Sequence, residues 1–265
     1  MDSKPIYPSD LTDAQWQRIK QMLPKAKELG RPREHGLREI LNGIFYLLRS
    51  GGSWRMLPRD YAPWQTVYGY FRRWTREGLI ERIHERLRDA VRRAEGRQAC
   101  PSAAVLDSQS VRTPDQAGGR GYDAGKKIKG RKRHVLVDTL GLLLAVKVTP
   151  ANVQDREGAR TLLSACYFLY HWLACIWAES GYSGKLVPWV KALRPFGKLH
   201  LEIVRRNAEG KGFKLLPKRW IVERTFGWLV KSRRLRLDYE VKTTHSEAMI
   251  QLAMIRIMLK RLAST

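Results

Sequence analysis

Ala103-Ala104-Val105-Leu106-Asp107 is a four-residue apolar run that ends in a carboxylate. It is too short for a helix and apolar at every step, so it reads as a buried strand delivering an acid at its tip. The arrangement recurs at Leu173 to Ala178, which ends in Glu179 and is followed by Ser-Gly-Tyr. Between the two lie a Gly-rich basic loop (116–133), strands from His134 to Asp138 and Leu142 to Val148 joined by a turn at Gly141, and a helix from Asp155 to Leu169. Beyond Glu179 the pattern predicts a helix (Lys185 to Leu193), a strand (Leu199 to Val204) and a basic loop. A helix around Trp220 to Val230, carrying Glu223, and a last helix from Ser246 to Leu262 complete it. Strands interleaved with helices make this half an α/β unit.

Upstream of the first strand the chain is helical. Leu11, Trp16, Ile19, Met22 and Leu23 follow helical spacing behind the capping residues Ser9 to Asp13. Leu37, Ile40, Leu41, Ile44, Phe45, Leu47 and Leu48 predict a second helix, stopped by Gly51-Gly52. Pro63 opens a third, Trp64 to Trp74, and Ile80 to Ala94 forms a fourth with an Arg-heavy outer face. The composition changes near Gly96–Pro101, which predicts an all-α domain over 1–98 and an α/β domain over 99–265.

The 265 residues carry 50 Lys plus Arg against 25 Asp plus Glu, a net charge of +25. With 43% hydrophobic residues the chain has material for a core, so the charge is not that of a disordered tail. Such a balance calls for a polyanion, with nucleic acid first. Three cysteines are too few for a disulfide scaffold, and the absence of CxxC and HExxH spacings argues against a zinc site. The uncharged stretch 162–178 is shorter than the roughly 20 residues of a membrane-spanning helix. No signal-peptide pattern opens the chain. These readings predict a reduced, cytoplasmic protein with no membrane partner.

Asp107 and Glu179 at strand ends, with Glu223 on a helix, match how an RNase H-like core builds a two-metal site. Mg2+ takes hard oxygen ligands. Two ions about 3.5–4 Å apart can activate a water or a 3′-hydroxyl and stabilise the leaving oxygen. Spacing alone leaves other uses open for any acid at a strand end. Asp138, before a tight turn, and Asp155, at a helix start, read as turn and cap residues. His134 is not needed as a base in such chemistry.

The sequence resembles bacterial insertion-sequence transposases of the DDE type, in the IS-five family. The stretches that carry the resemblance are Leu11-Thr-Asp-Ala-Gln-Trp16, Gly51-Gly-Ser-Trp-Arg-Met-Leu-Pro58, Pro63 to Trp74, Leu106-Asp-Ser-Gln-Ser-Val111 and Gly130-Arg-Lys-Arg-His134. They continue with Leu140-Gly-Leu-Leu143, Trp177-Ala-Glu-Ser-Gly-Tyr-Ser-Gly184, Arg219 to Trp228, Arg233-Arg-Leu235 and Asp238-Tyr-Glu240. The resemblance implies Asp107, Glu179 and Glu223 as the catalytic, metal-holding acids, with two Mg2+ ions for which Mn2+ can substitute. It implies Arg219 four residues before Glu223. The family's Tyr three residues before that Arg is replaced by Leu216, and Lys231 falls one position beyond the usual Lys. The main departure is Glu179, where the family has Asp. Its side chain is longer by about 1.5 Å, and misplacing a reacting group by about 1 Å can cost on the order of 100-fold. Two readings stay open here: a working transposase, or a decayed or domesticated copy that only binds DNA.

The expected DNA contacts follow. The N-terminal helices fit a helix-turn-helix-like unit, with Trp64 to Trp74 as recognition helix. Gln65, Thr66 and Tyr68 would meet base edges, and Arg72 and Arg73 phosphates. Val67, Phe71 and Trp74 read as core. Six Lys or Arg lie in 125–134, and Lys126, Lys127, Lys129, Arg131, Lys132 and Arg133 would grip DNA near the acids. Arg219 and Lys231 would join them. A second basic stretch runs through Arg205, Arg206, Lys211, Lys214 and Lys218. The expected partner is double-stranded DNA, both the element's inverted repeats and the target, engaged by at least a homodimer.

Overall fold

A computed structural model describes residues 5–25, 32–114, 118–166, 172–193, 197–204 and 218–263. Four helices come first: α1 (Asp13–Ile19), α2 (Leu37–Ser50), α3 (Trp64–Arg76) and α4 (Leu79–Ala94). Thr12 caps α1, accepting the Gln15 N–H while Gln15 accepts the Thr12 N–H. Arg38 in α2 donates to the Leu11 carbonyl at 2.7 Å, and Asn42 accepts the Leu11 N–H at 2.9 Å. Gly51 ends α2 in the left-handed region (φ 82°), which costs glycine no Cβ clash.

The sheet is built from β1 (Ala103–Arg112), β2 (Gly121–Asp123), β3 (Ile128–Asp138), β4 (Leu143–Pro150), β5 (Cys175–Glu179) and β6 (His200–Val204). Its order is β2-β3-β1-β5-β6, with β4 also on β3. β3 is antiparallel to β1 and β4, whereas β1, β5 and β6 run parallel. An antiparallel hairpin beside parallel strands joined through helices is the mixed sheet of an RNase H-like fold. The helices α5 (Asp155–Cys166), α6 (Leu186–Ala192), α7 (Arg219–Leu229) and α8 (Thr243–Ala263) complete the chain.

The strand period of two sends alternate side chains to opposite faces. Ala104, Leu106, Leu136, Ile176 and Ala178 face one apolar cluster, closed by α5 and α6. Val105, Val135 and Val137 face another, shared with α7, α8 and the N-terminal helices: Ile44, Phe71, Ile83 and Leu87 pack in one continuous core with Ile250 and Met254. Segments 1–98 and 99–265 are therefore joined by a common core. No helix among the described residues is long and apolar enough to cross a membrane.

Two expectations are corrected. Asp107 is not at a strand tip, because β1 continues five residues past it. The basic run is not a loop: residues 128–133 are the first half of β3. Its charges hid the strand because apolar alternation is absent. In the fold Lys129 stays exposed, but Arg131, Lys132 and Arg133 point inward to partners, as buried charges must. Arg131 lies against Asp238 (3.2 Å) and donates to the carbonyls of Gly118, Gly119, Glu240 and Val241. Arg133 donates to the Leu235 carbonyl at 2.8 Å. Lys132 pairs with Asp155 (3.0 Å) and Asp123 (3.5 Å) on the other face. The helix expected to reach Leu169 is described to Cys166, and 167–171 lie outside the described residues, as does the basic stretch through Arg205, Arg206, Lys211 and Lys214.

Candidate active site

The register places the first two acids. β1 and β5 pair in parallel from Ala103↔Cys175 to Val105↔Trp177, and two residues beyond the last pair Asp107 and Glu179 line one pocket. Both sit on the face toward α7. That helix is docked over the β3–β4 turn: Thr225 donates its hydroxyl to the Gly141 carbonyl (2.8 Å), Arg224 donates to the Leu140 carbonyl (2.9 Å), and Val222 is buried toward the sheet. Gly141 has φ 77°, and Thr225 and Trp228 leave no room for a Cβ there. Helix α7 carries Arg219 and Glu223 one turn apart.

Arg219 joins the acids. Its guanidinium is 3.1 Å from Glu179 Oε2 and 3.1 Å from Glu223 Oε1. Asp107, Glu179, Arg219 and Val222 line one pocket with Trp177 and Val204. Asp107 is buried, which pushes its carboxyl up to about 7; the Glu179 charge adds to this, while the Ser108 N–H bond (2.7 Å), Arg219 and Lys126 oppose it. Tyr182 is fully buried in the cluster with α5 and α6, its hydroxyl held well above the usual range by burial and by Asp107, Asp155 and Glu179. The three acids do not draw their oxygens within 4.8 Å of one another, because Arg219 stands between Glu179 and Glu223.

A second layer behind β1 was not read from the sequence. Ser108, pointing to the opposite face from Asp107, donates its hydroxyl to Asp155 (2.7 Å), which also pairs with Lys132. These contacts hold the Asp155 carboxyl below its ordinary value although burial works the other way. Asp138 accepts the N–H groups of Leu140 and Leu142 and pairs with Arg92. His134 is fully buried against Thr149, and burial lowers it to about 4, so it is neutral.

The other expected residues fall into separate groups. Lys126 and Lys127 are exposed at the β2–β3 turn, and Lys129 is exposed at the start of β3. Lys126 lies near Asp107, its ammonium 3.5 Å from the Ser108 carbonyl. Arg131, Lys132 and Arg133 are buried and engaged within the fold, unlike the three exposed lysines. Lys231 is exposed beyond the end of α7, about 12 Å along the helix axis from Glu223 at 1.5 Å per residue. Gln65, Arg72 and Arg73 are exposed on α3 and Thr66 is half-buried. The Tyr68 ring packs on Trp54 (4.9 Å) and under Arg72 (5.7 Å), part of an aromatic cluster with Phe71 and His245. A groove of about 530 Å³ joins Arg72, Arg73 and Arg76 to Lys242 and His245 of the α8 region. Lys242 and Arg76 had no motif to mark them, since only the packing of α8 on α3 brings them together.

Residues 98–258, more than half of the chain, match the family described as "Transposase DDE domain". This chain belongs to the DDE transposase family. Residues 11–84 of the chain match a second description, "Putative transposase of IS4/5 family". Among curated relatives is a "Putative transposase for insertion sequence element IS402" of Burkholderia cepacia, 33% identical over 130 residues, covering 46% of this chain and 60% of that protein. An "Uncharacterized protein y4sN" of Sinorhizobium fredii is 28% identical over 109 residues, covering 41% of this chain and 81% of that protein. The chain thus spans about three fifths of the first of these relatives. No solved structure matches it.

Proposed function

We propose that this transposase binds the terminal inverted repeats of its own insertion sequence, cleaves the strands there and joins the freed 3′-hydroxyl to target DNA. The observation that supports this most directly is the gathering of Asp107, Glu179 and Glu223 on one face, from two parallel strands and a helix, in a family of DDE transposases. The donor set fits hard divalent cations, being three carboxylates and no thiol or imidazole. Asp107, Glu179 and Glu223 would hold two Mg2+ ions, with Mn2+ able to replace them. Bound there, the ions would supply an activated water or 3′-hydroxyl and stabilise the leaving oxygen.

The chain's own residues do the rest. Residues 1–98 act as the DNA-binding part and 99–265 as the catalytic part. Arg72, Arg73, Arg76 and Lys242 hold DNA phosphates along the α3 groove, with Gln65 and Thr66 at the start of α3 toward base edges. Lys126, Lys127 and Lys129 hold the strand near Asp107. Arg219 neutralises Glu179 and Glu223 while the site holds no cation and turns to a phosphate oxygen when cations take the carboxylates. Two ends must be held at once, so the working form is at least a homodimer.

The test is cleavage and joining of DNA carrying the element's ends in Mg2+ or Mn2+. Wild type, Glu179→Asp and Glu223→Ala are run side by side. Joined products from wild type and none from Glu223→Ala are expected. Products from Glu179→Asp alone, with end-specific binding retained by wild type, would mean that this copy has lost cutting and acts as a DNA-binding protein.

A further inference from the structure

The edge of the sheet carries a second set of metal-ligating groups. β6 pairs with β5 in the register Cys175↔His200 and Trp177↔Glu202. The period of two puts His200 and Glu202 on one face, directly across from Cys175 and Trp177. Ligand atoms of Cys175, His200 and Glu202 all lie within 4.8 Å of one another, and among the described residues no other trio of His, Cys, Asp or Glu does so.

We propose that Cys175, His200 and Glu202 form a binding site for a borderline divalent transition metal of the zinc class, separate from the acid triad. The ligand types decide the class: a thiolate and an imidazole select zinc or cobalt over Mg2+ or Ca2+. The geometry agrees. A tetrahedral zinc with about 2.3 Å to sulfur and about 2.0–2.2 Å to oxygen needs those atoms about 3.5–3.7 Å apart. Cys175 Sγ and Glu202 Oε2 are 3.6 Å apart.

The supporting contacts are in place as well. The Trp177 indole N–H donates to Glu202 Oε2 at 2.8 Å, orienting the carboxylate. His200 Nδ1 is 3.2 Å from the Lys198 carbonyl, which can only accept; with the ring proton on Nδ1, the Nε2 lone pair is available to a metal. His200 and Glu202 are exposed, which leaves an entry path and a fourth position for water. On ligation the Cys175 thiol proton leaves to solvent and a thiolate–metal bond forms; no electron transfer is involved.

The consequence is mechanical. Cys175 sits on the same strand and face as Glu179, four residues away, about 13 Å along the strand. An ion there fastens edge strand β6 to the strand that carries the second acid. It also competes with Lys218, whose ammonium is 4.0 Å from Glu202 and 3.9 Å from the Trp177 ring centre, next to Arg219 in the chain.

Titration of the reduced, metal-free full chain with Co2+ tests this. A thiolate-to-cobalt charge-transfer band and tetrahedral d–d bands at one equivalent are expected. They should persist in Glu223→Gln and vanish in Cys175→Ser, His200→Ala and Glu202→Gln; the last two replace exposed residues and leave the fold intact. Trp177→Phe should weaken Co2+ binding at least about tenfold. No charge-transfer band in wild type, or a band that survives Cys175→Ser and so belongs to Cys100 or Cys166, would overturn the proposal. So would a spectrum abolished by Glu223→Gln and untouched by His200→Ala.

Discussion

Replacing Asp107 by Asn should stabilise the metal-free protein while abolishing cleavage. Asp107 is buried in β1, and burial lifts its carboxyl from 3.8 to about 7. The sign follows from proton binding. Between about pH 4 and pH 7 the folded state keeps a proton that the unfolded chain releases, so stability falls as pH rises across that window. The gap is about three pH units at about 1.4 kcal/mol each, giving an upper figure of about 4 kcal/mol at pH 8. Asn is uncharged and still accepts the Ser108 N–H, so it removes the penalty and keeps the hydrogen bond. At about 2–4 °C per kcal/mol the melting temperature should rise by on the order of 10 °C. The assay is thermal unfolding of wild type and Asp107→Asn in chelator from pH 4 to pH 8. The curves should converge near pH 4 and separate toward pH 8, and Mg2+ should stabilise wild type alone. Parallel curves, or a variant less stable than wild type at pH 8, would refute the reasoning.

Arg219→Gln removes the cation lying 3.1 Å from both Glu179 and Glu223, so Mn2+ binding, read by electron paramagnetic resonance, should tighten several-fold while DNA joining falls. Weaker Mn2+ binding would show that Arg219 does not compete for the acids. Arg92→Met leaves Asp138 buried without its ion partner and should cost about 3–5 kcal/mol in urea unfolding; adding Asp138→Asn should recover part of it. Gly158→Ala forces a Cβ into the His134 ring and should cost about 1–3 kcal/mol, with His134→Ala in the same chain relieving the overlap, both read from melting curves. Lys126→Ala with Lys129→Ala should lower the slope of log affinity for DNA against log salt by about one per lost phosphate contact, with unchanged melting temperature. Arg131→Met should instead lower the melting temperature, since its guanidinium holds the 238–241 segment.

Much of this protein was legible in local pattern. Leu37 to Leu48 and Trp64 to Trp74 announce helices through their spacing, and α2 and α3 run over Leu37–Ser50 and Trp64–Arg76. The apolar run before Asp107 announces a strand. Its length was not legible, because past Asp107 the chain turns polar: Ser108 and Ser110 look like loop residues until Asp155 and Asp123 are seen to accept their hydroxyls. The basic run misled for the same reason. Charge in sequence reads as solvent exposure, and the acceptors that let Arg131 and Arg133 be buried come from the distant 235–241 segment folding onto the sheet, with the Gly118 and Gly119 carbonyls.

The sequence by itself determined most of the order of elements, the basic character and the family resemblance, because each is carried by residue type and short-range pattern. Tertiary structure decided what those residues face. Pairing of β5 with β1 brings Glu179 into one pocket with Asp107, and docking of α7 on the Gly141 turn brings Arg219 there and, through it, Glu223 to Glu179. The pairing of β5 with β6 gathers Cys175, His200 and Glu202 from positions 25 and 27 residues apart. No spacing rule reports such a set, because its members are neighbours through strand register and not along the chain.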